Sequence, residues 1–93
     1  MKYGYVYILT NKTRSVLYTG VTSNLSRKME EHRSGKGSAF CRDYHVNILV
    51  YYELHMDIIS AIRREKQIKK WNRERKLELI REKNPEMRDL LEK

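Results

Sequence analysis

The chain opens with an alternation that leaves its backbone few options. Residues 3 to 10 read Tyr-Gly-Tyr-Val-Tyr-Ile-Leu-Thr, aromatic and β-branched residues at a period close to two. Successive side chains of a strand point to opposite faces, so Tyr3, Tyr5, Tyr7 and Leu9 share one face and Val6 and Ile8 the other. A polar turn follows, Asn11-Lys12-Thr13-Arg14-Ser15, and Val16 to Thr22 reads as a second strand. Two such runs joined by a short polar loop form an antiparallel hairpin.

Beyond the hairpin, Thr22-Ser23-Asn24 offers capping oxygens for a helix that starts near Leu25 and stops at Ser34-Gly35. Gly35 to Asp43 reads as a loop. Ile48 to Leu54 is the most apolar strand and is expected at the centre of the sheet. Asp57 is placed to cap a long helix reaching about Trp71, and Asn72 to Lys83 continues as a second helical segment. Asn84-Pro85 then marks a break, with Asn84 as the cap of a short final helix from Pro85 to Leu91. The expected order is β-β-α-β-α-α, an α+β fold with a small antiparallel sheet flanked by helices. At 93 residues, positions 1–93 are expected to form one domain with one modest core.

Charge narrows the partners. Lys and Arg number 20 against 12 Asp and Glu, a net of +8. Residues 63 to 83 carry ten Lys or Arg and four Glu, most of that excess. Such a field draws phosphate polymers; an acidic membrane or protein surface is the competing partner. Cys41 stands alone, which excludes an internal disulfide and a cysteine-built zinc site. The N-terminal apolar run is too short for a signal peptide or a membrane span, so a cytoplasmic, non-membrane protein is expected.

Helical spacing picks out polar residues that turn inward. Leu25 and Met29 set the buried stripe of the first helix. His32 falls on that stripe, Lys28 on its shoulder, and Arg27 on the far side. On the long helix Ile58, Ala61, Ile62 and Ile68 define the stripe, and Glu65 falls in its middle. A carboxylate on an inward face costs several kcal/mol unless it is paired, protonated or bound to a metal. Periodicity alone leaves an ion pair with Lys28 or an arginine, and a metal ion, both open for Glu65. For His32 it leaves open a hydrogen-bonded core histidine and a catalytic one.

Five stretches, in order, carry a resemblance: Tyr5-Val6-Tyr7; Tyr18-Thr19-Gly20; Leu25 to His32; Arg64 to Trp71; and Asn84 to Leu90. Together they resemble the signatures of the GIY-YIG nuclease superfamily, in particular its small stand-alone URI-type members. That resemblance implies a three-stranded sheet between helices and metal-dependent hydrolysis of phosphodiester bonds. It implies Tyr7, Tyr18, Lys28, His32 and Glu65 as the catalytic set. One phenol, helped by a nearby base, would take a proton from the attacking water, and the other would bind phosphate. Glu65 would hold one divalent cation, Mg²⁺ ahead of Mn²⁺. Asn84 is a loose match to the asparagine that closes the family's motifs.

The expected partner is nucleic acid, DNA ahead of RNA, with single-stranded or branched substrates in view. Gly20, Arg27, Lys36, Arg42, Arg64, Lys69 and Lys70 are the residues expected to meet it. Trp71 could stack on a base or pack into the core. The sequence departs from the family where its catalytic arginine is Lys28, a point charge in place of a planar fork. A weak or inactive nucleic-acid-binding module is therefore the alternative to an endonuclease. Cys41 reads as a small loop or core residue.

Overall fold

A computed structural model describes residues 2–91. The elements run β1 (Gly4–Thr10), β2 (Leu17–Thr22), α1 (Leu25–Arg33), α2 (Ala39–Asp43), β3 (Ile48–His55), α3 (Ile58–Lys69) and α4 (Arg73–Lys83). All strand pairs are antiparallel and the order is β2-β1-β3. The α+β layout expected from the pattern is therefore present. Among the described residues no helix is long and apolar enough to cross a membrane.

The alternation in β1 does what its period requires. Val6 and Ile8 enter one core with Ala61, Ile68, Leu77 and Ile80 of α3 and α4. Tyr7 and Leu9 enter a second, with Met29 of α1 and with Cys41, Val46 and Leu49. The hairpin loop is closed by the Asn11 side chain, which accepts from the Ser15 and Val16 amides at 2.9 and 3.2 Å. Asn24 and Asp57 cap their helices as expected, accepting from the amides of Arg27 and Ser60, and Asn72, read only as the beginning of a helical segment, caps α4 in the same way by accepting from Arg75.

Three expectations are corrected. β1, not β3, is the central strand. β3 is apolar for two other reasons. A bulge at Ile8/Leu9 pairs Ile8 with Tyr51 and Leu9 with Leu49, so Val50 is an extra residue. Val50 and Tyr51 then both reach the α3–α4 core, which breaks the alternation. The first half of the outer edge is also covered, because the Leu49 and Val50 carbonyls accept from the Leu90 amide and the Asn84 side chain.

Second, residues 35 to 43 are not all loop. Ser38 accepts from the Cys41 amide and starts the short helix α2. Third, Pro85 to Leu91 forms turns and extended chain, not a helix. Asn84 sits at the C-terminal end of α4, not at the start of a new helix. Its buried side chain donates to the Val50 and Arg88 carbonyls and accepts from the Arg88 amide, at 2.9, 2.9 and 3.0 Å. The tail it fixes is tied to the rest of the molecule by Arg33 to Asp89 at 2.8 Å and by Arg14 to the Met87 carbonyl.

Three such hydrogen bonds at about 1 kcal/mol each put the cost of removing this amide near 3 kcal/mol. Asn84→Ala is expected to lower the unfolding free energy by about 2–4 kcal/mol, measured by urea denaturation with an unchanged m-value. Asn84→Asp should not recover it, since a carboxylate cannot donate to the two carbonyls.

Candidate active site

Tyr7 and Tyr18 lie on adjacent strands, and the α1 residue His32 stands between them. Each phenol ring is 6.2 Å from the imidazole, edge-on, at 66° for Tyr7 and 63° for Tyr18. Gly20 is paired with Tyr7 across the hairpin. A Cβ at Gly20 would overlap the Tyr7 ring and its hydroxyl. The glycine thus makes room for the phenol; its buried backbone is a seat for Tyr7 rather than an open approach to a cleft.

A second glycine works the same way. A Cβ at Gly37 would overlap His32 Nδ1, so the loop between α1 and α2 closes directly over the imidazole. Sequence reading missed Gly37, since a glycine in a loop looks like flexibility until the ring beneath it is placed.

His32 is buried at 9% exposure, and neither ring nitrogen has a hydrogen-bond partner among the described residues. A neutral imidazole carries one donor and one acceptor. Leaving such groups unpaired costs about 1–3 kcal/mol each, and an orphan of this kind marks a strained or functional position. Burial first, and then the Lys28 ammonium, hold its pKa below the usual 6.5 against the opposing pull of Glu31. His32 is therefore neutral at pH 7.

The charges close around this group. Tyr7 is held well above the usual phenol range by burial first, then by Tyr18, Cys41, Glu65 and Glu31. The Glu65 carboxylate is thus within electrostatic reach of the Tyr7 phenol. Glu65 is buried on α3, at 8% exposure. Its ion-pair partner is Lys69, one helical turn on, at 2.7 Å, and not Lys28. Lys28 lies 3.5 Å from Glu31, which Arg27 also approaches at 3.7 Å. Glu31 is a site charge that the inward-stripe argument passed over. Its spacing from Arg27 and Lys28 is the ordinary helical ion-pair spacing.

The structure thus gathers Tyr7, Tyr18 and His32, with the Lys28 charge acting on the imidazole and the Glu65 charge on the Tyr7 phenol. The other expected residues divide. Arg27, Lys36, Arg42 and Lys70 are exposed. Arg64 is committed elsewhere: it donates to Glu53 at 2.9 Å and to Gln67 at 2.8 Å. Its guanidinium also lies 5.1 Å from the Trp71 ring, with Arg75 at 4.1 Å. With arginines against it and its flank in the core, Trp71 takes the packing role rather than the base-stacking one. Lys69 is held by Glu65, and none of the partners of Asn84 belongs to the tyrosine cluster. Cys41 is a core residue whose thiol pKa burial pushes up.

The model of the GIY-YIG catalytic domain matches residues 3–78 of this chain. This chain belongs to the GIY-YIG family. A UPF0213 protein of Staphylococcus haemolyticus is 40% identical over 78 residues, 84% of this chain and 94% of its own. One of Syntrophus aciditrophicus is 40% identical over 87 residues, 92% and 98% of the two chains. The solution NMR structure of a UPF0213 protein from Bacillus halodurans superposes with a TM-score of 0.60 at 31% identity, covering 96% of this chain and 94% of that one. The GIY-YIG match ends at residue 78, before Asn84 and the tail that it anchors.

The depressed pKa of His32 has a sign that can be tested. Below pH 6.5 the unfolded chain binds a proton at this histidine that the folded chain resists, so stability is full above pH 6.5 and falls as pH drops towards the folded pKa. His32→Gln is expected to flatten the stability profile between about pH 7 and 5 in a denaturant titration series. The loss linked to Glu53 comes separately, below its ordinary 4.5. There burial raises the carboxyl, but hydrogen bonds from Tyr51, His55 and Arg64 outweigh it and hold it low.

Proposed function

We propose that this GIY-YIG protein is a metal-dependent endonuclease that hydrolyses phosphodiester bonds, with DNA as its first substrate. The observation that carries the proposal is the meeting of Tyr7 and Tyr18 with a buried, neutral, unpartnered His32, the Glu65 carboxylate lying within electrostatic reach of Tyr7. The match to a catalytic-domain model supports it.

The residues at Glu65 fit a hard divalent cation. The carboxylate is buried and offers oxygen donors, the ligand type that such a cation takes. Its Lys69 partner is 52% exposed and on a flexible stem, so the ammonium can swing out to water when a cation takes its place. Among the described residues no three of His, Cys, Asp and Glu gather, so Glu65 would share an ion with water and phosphate oxygens. Mg²⁺, or Mn²⁺ in its place, would supply polarisation of the phosphoryl group and neutralise charge on the leaving oxygen.

The chain's own groups then divide the work. Tyr7 stays protonated at neutral pH and is a hydrogen-bond donor to a phosphoryl oxygen. That moves the base role away from Tyr7 and leaves His32, neutral and beside the Tyr18 ring, as the group to accept the proton of the attacking water. Lys28 supplies the positive charge next to the imidazole. Its pairing with Glu31 dilutes that charge, which favours a second reading: a slow enzyme, or a module that binds without turnover.

A cleavage screen over labelled single-stranded, duplex, flapped and branched DNA with Mg²⁺ or Mn²⁺ tests this. Cutting is expected with the wild-type protein and absent with Glu65→Ala at unchanged thermal stability. Equal cutting by Glu65→Ala removes the metal role; no cutting on any substrate leaves the binding module. Lys28→Arg should raise the rate, and Lys28→Ala should lower it by about 10²–10³.

A further inference from the structure

Tyr18 is the inner end of a row of rings that leads out of the site. Its ring stacks on Phe40 with centroids 6.1 Å apart and planes 25° apart, and Phe40 meets Tyr44 at 4.9 Å and 37°. These separations lie in the range of offset aromatic pairs. Phe40 is 45% and Tyr44 58% exposed. Among the described residues no further ring continues the row beyond Tyr44.

Core packing does not account for this. The buried residue of α2 is Cys41, which joins Met29, Val46 and Leu49. Phe40 and Tyr44 are four residues apart, so they share the face that α2 turns to solvent. Phenylalanine has no polar group to gain from water. Contiguous exposed rings beginning at a candidate catalytic tyrosine are unlike isolated surface aromatics, which need no explanation. Tyr3 and Tyr52 are exposed too, but neither has a ring partner among the described residues.

Shape and charge name the occupant. An open stack of planar side chains accepts further flat rings. Lys36 and Arg42 stand exposed on the same segment, and the 3.3 Å contact of Arg42 with Asp43 is between two largely exposed side chains, too weak to withhold the charge. Flat rings strung along phosphates are the nucleotides of a single strand; a duplex hides its base faces in its own stack.

We propose that Phe40 and Tyr44 form a stacking platform for unpaired nucleobases of a single strand whose backbone enters the site at Tyr18. It makes the enzyme single-strand-directed by structure rather than by sequence. This rests on the nuclease reading only for what happens at the inner end of the row. Stacking itself is read by binding, without cleavage.

The test is fluorescence anisotropy of the full chain in low salt and EDTA with three labelled probes of equal length: an oligothymidine strand, an abasic strand with the same phosphates, and a duplex. The wild-type protein should bind oligothymidine tighter than the abasic strand and the duplex. The Phe40→Ala/Tyr44→Ala variant should lose roughly 10- to 100-fold on oligothymidine and nothing on the abasic strand. Phe40→Leu, which keeps an apolar side chain against Tyr18, should lose affinity as alanine does, and Phe40→Trp should keep it. Equal wild-type affinity for the thymidine and abasic strands overturns the platform, as does an equal loss on both in the double variant or full affinity in Phe40→Leu. Base-dependent binding without cleavage in Mg²⁺ would sink the nuclease reading and leave the platform standing. Cleavage with base-independent binding would do the reverse.

Discussion

Everything in this fold is referenced to a central strand that is buried on both faces. Val6 and Ile8 are fully buried against α3 and α4, while Tyr7 and Leu9 are buried against α1 and the segment after it. A one-residue slip would send each set to the wrong core, so the register is strongly determined. That register puts the Tyr7 phenol over Gly20 and beside His32. The Tyr7–His32 side of the candidate site thus lies on one face of a strand whose other face closes the main core.

The tail beyond the family match has a mechanical part in this. Asn84 and Leu90 cover the outer edge of β3, Arg14 binds the Met87 carbonyl, and Asp89 holds Arg33 at the end of α1. Arg73 adds two bonds to the hairpin loop. These contacts join the helix that carries Lys28 and His32 to the strands that carry the tyrosines. Part of an exposed sheet edge is covered by the same means.

Charge at the site is more balanced than the net of +8 suggests. Lys28 faces Glu31, Lys69 faces Glu65, Tyr7 is protonated and His32 is neutral. The basic excess of α3 and α4 is also partly structural: Arg64 serves Glu53, Arg73 serves the hairpin loop and Arg75 covers Trp71. The net charge is a property of the whole surface, whereas the imidazole at the candidate site is neutral with both ring nitrogens unpaired among the described residues, and such groups are costly to bury.

The sequence by itself determined what local rules control. Period-two alternation assigned the faces of β1, period 3.6 turned Glu65 and His32 inward, and Asn24 and Asp57 marked helix starts through bonds to amides three residues away. Residues far apart in the chain decided the rest. The bulge that reorients Val50 and Tyr51 is a property of the β1–β3 pairing, and the place of β3 at the edge depends on which strands meet. Asn84 looked like a helix start because its real partner, Val50, lies 34 residues away. The Arg64–Glu53 pair and the contact of Tyr18 with Phe40 likewise join separate segments. Such contacts form only after the chain has closed long loops, so no periodicity or cap signal records them.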